Sequence, residues 1–96
     1  MNVGICQVKL RLPDNLSLKG KRQVVKSVTA RLKNRFPVSV AEVDDNNLWQ
    51  LATIGICYIS NDKRFTNEIL SKIIEFVHNN QGDYEVLDHE LEILEV

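Results

Sequence analysis

Cysteine, proline, glycine and aromatic residues are all scarce in this 96-residue chain, which has two Cys, two Pro, four Gly, one Trp, two Tyr and three Phe. Cys6 and Cys57 stand far apart and form neither a CxxC pair nor a disulfide framework, which points to a reducing compartment. Gly4, Gly20, Gly55 and Gly82 are too scattered to build a phosphate loop. No Walker loop, Rossmann glycines, GxSxG or HExxH is present, so the common catalytic frameworks are excluded. The N-terminus lacks a basic segment followed by an apolar stretch, and no apolar run approaches bilayer length. The expected location is cytoplasmic, without membrane contact. Repeats, low-complexity tracts and Pro/Gly/Ser linkers are also missing.

What is present suits one small domain, spanning residues 1–96, with one core. Apolar residues make up 44% and charged residues 26%, the proportions of an ordinary folded protein. The net charge of −1 conceals a strong division. Residues 1–40 carry nine Lys/Arg against a single acid, Asp14, a charge of +8. Residues 41–74 carry −2, and residues 75–96 carry seven acids with no Lys or Arg, a charge of −7. Such asymmetry bears on surface potential and partners rather than on fold.

Residues 3–12 alternate, with Cys6, Val8, Leu10 and Leu12 on one side and Gln7, Lys9 and Arg11 on the other, the period of a strand. Pro13-Asp14-Asn15 ends it. Ser17 is placed to cap a helix from Leu18 to Phe36, in which Val25, Val28, Leu32 and Phe36 recur at helical spacing. Pro37 stops that helix. Val38 to Val43 reads as a short strand, and Asp44-Asp45-Asn46-Asn47 as a turn. The apolar run from Trp49 to Ile59 predicts a central strand buried on both faces. Asn61 or Asp62 caps a second helix bearing Phe65, Ile69, Leu70, Ile73, Ile74, Phe76 and Val77, closed by Asn79-Asn80-Gln81-Gly82. The last strand runs from about Tyr84 to Val96. Its parity breaks after Val86, and a bulge near Leu87 restores it.

The order β-α-β-β-α-β, with right-handed crossovers and helices that must cover an apolar sheet face, predicts an α+β fold. The expected form is a ferredoxin-like sandwich, with a four-stranded antiparallel sheet of order 4-1-3-2 and both helices on one face. Asp88, Glu90 and Glu92 should then share the open face with Gln7, Lys9 and Arg11. Pairing of Lys9 and Arg11 with Glu90 and Glu92 would be a modest register device.

Several segments together resemble one family. They are Ser17-Leu18-Lys19-Gly20-Lys21-Arg22, Ala41-Glu42-Val43 with Asp44-Asp45, Leu48-Trp49-Gln50, and Ile59-Ser60-Asn61-Asp62. In combination they are similar to the YlxP-like family, bacterial proteins of unassigned function, along essentially the whole chain. The resemblance implies a ferredoxin-like fold and brings no catalytic residues to carry over. Members are often encoded near transcription and ribosome-maturation factors, which hints at a setting and not at an activity.

The first helix is the strongest functional candidate. Lys19, Lys21, Arg22, Lys26, Arg31, Lys33 and Arg35 include no acid between them. At about 100° per residue, Arg22, Lys26 and Lys33 cluster on one flank of the apolar stripe. Lys19, Lys21 and Arg22 sit near the positive end of the helix dipole, at a cost of about 0.3–1 kcal/mol each if exposed. Lysines there would instead gather an anion such as phosphate. Lys19, Lys21, Arg22, Lys26 and Lys33 are therefore the candidate anion or nucleic-acid contacts. The bland counterpart is a solvated basic face. With no RNP-type aromatics, GXXG loop or zinc spacing, contact would run through backbone phosphates.

Trp49 and Leu51 are the candidate interface residues, with Trp49 a stacking platform, a partner anchor or, the favoured reading, a plain core or edge aromatic. Glu42 stands alone in an apolar strand and reads as solvent-facing or paired with Arg31 or Arg35. Cys6, Cys57 and His89 fall on neighbouring strands but lack close ligand pairs, so no metal and no cofactor are expected. The sequence thus suggests a non-enzymatic protein that associates with RNA or a ribosomal component through the basic helix. The alternative is a protein-interaction or homodimerisation module that uses the open sheet face.

Overall fold

The alternating N-terminal segment forms β1 (Asn2–Arg11), and its parity decides which way everything else faces. A computed structural model describes residues 1–96. It continues with α1 (Leu18–Arg35), β2 (Ser39–Asp44), β3 (Leu51–Ser60), α2 (Lys63–Asn79) and β4 (Glu85–Glu95). Ser17 caps α1, its Oγ accepting from the Gly20 N–H at 3.0 Å. Asp62 caps α2 by accepting from Phe65 N–H at 3.0 Å. The chain leaves α1 at Phe36, just before Pro37, whose ring cannot extend a helix. Within the expected Asn79-Asn80-Gln81-Gly82 stop, Asn80 closes α2. Its side-chain amide donates to the Phe76 carbonyl at 2.7 Å, and no glycine takes the left-handed conformation.

All strand pairs are antiparallel, in the order β2-β3-β1-β4, the expected order read from the other end. Inward residues Cys6, Val8, Leu10 and Leu12, with Ala52, Ile54 and Ile56 of β3, form one core with Val28 and Leu32 of α1 and Leu70, Ile73 and Val77 of α2. Both helices thus cover the same face, α1 over β2 and part of β3, and α2 over β1, β4 and the rest of β3. Leu32, Leu70 and Ile73 are fully enclosed, and burial of such a side chain stabilises by about 1.5–3 kcal/mol. Gly4 lets α2 lie close, since a Cβ there would sit 2.7 Å from a Thr66 methyl and 3.1 Å from Leu70.

The β1–β4 register places Gln7 opposite Glu90 and Lys9 opposite Asp88, then skips Leu87 so that Leu10 meets Val86. The bulge and the shared open face are as the sequence predicts. The expected ion pairs are not. Antiparallel register sets Glu92 across from Ile5 and Glu90 across from Gln7, out of reach of Arg11. Arg11 lies 3.9 Å from Glu85 instead, and Lys9 lies 3.7 Å from Asp45 in the β2–β3 connection. Both pairs are long and each has at least one well-exposed partner, so each contributes roughly 0–1 kcal/mol.

Two further expectations need correcting. β3 begins at Leu51, so Trp49 and Gln50 belong to the preceding loop. Nor is β3 sealed on both faces: Ile54, Ile56 and Tyr58 are buried under the helices, whereas Ile59 is 59% exposed.

Cys6 points into the core and Cys57 lies half-buried on the open face, so the sheet separates them, and neither is joined with His89 as a cluster. Burial pushes the Cys6 thiol from the ordinary 9.0 up to about 12. We expect Cys57 alone to react with a thiol reagent near neutral pH, and Cys6 only after denaturant is added; equal rates in native protein would contradict this burial. The fold favours the neutral Cys6 thiol, so that contribution is whole below pH 9 and is lost as pH rises towards 12. Tyr84 adds to the alkaline lability. Burial raises its pKa, against an opposing effect from Arg31, and its hydroxyl donates to the Val77 carbonyl at 2.7 Å.

Candidate functional site

The basic residues of α1 separate into two groups. Lys19, Arg22, Lys26, Arg31, Lys33 and Arg35 are exposed, and none forms an ion pair. Arg35 rests over the Phe76 ring, 5.8 Å from its centroid. Lys33 and Arg35 stand in the last turn, where the helix dipole favours cations. Lys19 and Arg22 stand near the other end, where it does not.

Lys21 is different, and its place among the anion contacts is overturned. Its side chain is 0% exposed. The ammonium donates to the carbonyls of Asp45 at 2.7 Å, Asn46 at 3.1 Å and Leu51 at 3.2 Å. Glu42 Oε2 lies 2.8 Å away and has no other polar partner. The donors and the charge of Lys21 are therefore already committed, leaving nothing for an external phosphate. Glu42 is corrected with it. Paired with Ile54 on β3, Glu42 faces the helices, where it meets Lys21 rather than solvent, Arg31 or Arg35.

Lys21 grips one side of the loop between β2 and β3, and other bonds hold the rest. Asp45 takes the left-handed conformation, φ 64°, which a short polar side chain tolerates better than most. Its carboxylate accepts from the Thr53 hydroxyl at 2.8 Å. The Asn15 amide donates to the carbonyls of Trp49 at 2.6 Å and Ser17 at 2.7 Å. The Gln50 amide donates to the carbonyls of Pro13 and Asn15. Gly20 leaves room for this arrangement, because a Cβ there would collide with Asn15 Oδ1. Lys19-Gly20-Lys21-Arg22 thus decodes as an exposed cation, a gap for Asn15, a buried clamp and a second exposed cation.

The braced loop carries exposed apolar groups, Trp49 at 54% and Leu48 at 47%, with Leu16 at 77% in the loop that Asn15 ties to it. Trp49, Leu48, Leu51 and Arg11 wall a shallow groove. Trp49 and Leu51 are brought together as the sequence suggests, although from a loop and a strand end rather than from one strand face. The clamp itself was missed. Its signals were two separate oddities, a lysine in the wrong part of a helix dipole and a lone acid in an apolar strand.

The sheet order separates the charges. α1 covers the β2–β3 side, whereas Asp88, Glu90, Glu92 and Glu95 line β4 at the opposite edge, none of them in an ion pair. The open face grades from charged to apolar. Lys9 and Arg11 occupy one end, and the row Ile59, Val3 and Leu94 the other. No group of three or more His, Cys, Asp or Glu is placed to hold a metal ion, and no helix is long and apolar enough to cross a membrane.

Comparison with known proteins agrees with the chain-long resemblance. The uncharacterised protein YlxP of Bacillus subtilis (strain 168) is 31% identical over 75 residues, covering 78% of this chain and 82% of that protein. Residues 3–91 match the family described as "Protein of unknown function (DUF503)". Three of the segments that carry the resemblance meet at the Lys21 clamp, contributing the helix cap Ser17, the acid Glu42, the carbonyl of Asp45 and the loop tryptophan. This chain belongs to the DUF503 family, the YlxP-like proteins.

Proposed function

We propose that this chain is a small cytoplasmic, ferredoxin-like binding protein, not an enzyme, that associates with RNA or a ribosomal component through α1. The contacts would come from Lys19, Arg22, Lys26 and Lys33. The observation that carries this reading is their isolation: all are exposed, and none has a carboxylate partner. The unpaired β4 acids Asp88, Glu90, Glu92 and Glu95 lie at the far edge of the sheet from α1, which favours approach of a polyanion on the α1 side. A solvated face kept only for solubility gains nothing from cations set against a helix dipole. Phosphate contacts positioned by Lys and Arg make binding strongly salt-dependent. Titration of a structured RNA is expected to show binding at low salt that weakens steeply as salt rises. Absence of binding at low salt ends this reading.

The apolar row of Ile59, Val3 and Leu94 supports a second reading, a homodimer or protein partner seated on the open face. A dimer that Ile59→Lys dissociates in sedimentation would favour it, and a monomer at high concentration counts against it.

A further inference from the structure

We infer that the loop braced by Lys21 presents Trp49 as a stacking platform for an unpaired base, so that the ligand is RNA with single-stranded nucleotides rather than continuous duplex. This rests on the RNA reading and specifies the class of RNA.

An exposed tryptophan on a loose loop would be unremarkable. This one sits on a backbone held by the buried Lys21 ammonium, by Asn15 and by Gln50. A loop backbone held ready loses little freedom on binding, which is the advantage of preorganisation. The Asn15 amide joins the Trp49 carbonyl to the carbonyl of Ser17, the cap of α1. The backbone of Trp49 is thereby tied to the segment that leads into α1, just ahead of Lys19. Arg11 shares the groove with Trp49, and its ion pair with Glu85 is long, at 3.9 Å. Phosphate-binding cations next to an aromatic face are the two components of sequence-tolerant single-strand binding. A continuous duplex buries its base faces in its own stack, so Trp49 would have nothing to stack on.

The chain has one tryptophan, so its emission reports this position alone. Intact protein is titrated with a short single-stranded RNA of mixed sequence and with a blunt duplex of equal length, at fixed low salt. The single strand is expected to quench Trp49 emission and to bind more tightly than the duplex. Trp49→Ala is expected to weaken single-strand binding about ten-fold and to leave duplex binding unchanged, with Trp49→Phe retaining most of the affinity. Melting curves confirm that both variants fold. Equal affinity for the two RNAs, with unchanged emission and an ineffective Trp49→Ala, overturns the platform; if Arg22→Glu/Lys26→Glu still abolishes binding, the reading of α1 stands. No binding of either RNA overturns both. Loss of self-association in Trp49→Ala, with RNA binding intact, assigns Trp49 to a subunit contact and also overturns the inference.

Discussion

Lys21→Met is expected to destabilise the protein by about 3–5 kcal/mol, the range for removing one partner of a buried ion pair. For a domain of this size that corresponds to a fall in melting temperature on the order of 20 °C. Methionine preserves most of the volume, so the loss is not a cavity effect. It leaves the Glu42 carboxylate, 15% exposed, without its only partner. It also strips a donor from the carbonyls of Asp45, Asn46 and Leu51. Glu42→Gln alone should cost less, since the ammonium keeps its three carbonyls. In the double variant Lys21→Met/Glu42→Gln the stranded charge is gone, and part of the Lys21→Met loss should return. Thermal melts of the four proteins form a double-mutant cycle. Strict additivity would mean that Lys21 and Glu42 do not act as a pair.

Lys19→Glu/Arg22→Glu/Lys26→Glu is expected to lower RNA affinity at least 100-fold at low salt while leaving stability equal or higher. Binding should fall because three cations that the proposal sets against phosphates become repulsive. Stability does not follow, since these side chains are exposed and unpaired. Acids in the first turns also suit the dipole, by roughly 0.3–1 kcal/mol for the residues nearest the N-terminus. Opposite movement of the two quantities marks positions kept for a ligand at the expense of the helix. A variant that loses binding only because it loses its fold would count against this account.

Lys21 and Trp49 mark the limit of what the sequence makes legible. Alternation in β1, the Ser17 and Asp62 caps and the bulge at Leu87 are local, and each was readable from spacing because the period of a strand or helix is a local property. Sheet order followed from connection rules. Long-range placement decided the rest. Lys21 looks like its neighbours in sequence, and only the return of the β2–β3 loop beneath α1 turns it into a buried clamp. Glu42 has the parity of an inward residue, which alternation from Val40 makes visible, but its partner is the lysine a helix earlier. Trp49 continues the apolar run of β3 without a break in composition. The strand starts later because the Asn15 and Gln50 amides hold residues 49 and 50 against the residue 12–17 loop. Hydrogen bonds between distant segments leave no periodic trace.

The central claim is that the exposed cations of α1 touch phosphates while Lys21 serves the fold. The slope of log affinity against log salt tests it most directly, measured on one single-stranded RNA for wild type and for Arg22→Gln/Lys26→Gln/Lys33→Gln. Each lost phosphate contact on a single strand removes about 0.7 from the magnitude of the slope. The account predicts a slope shallower by roughly 2 in the triple variant. Equal slopes in the two proteins would contradict it.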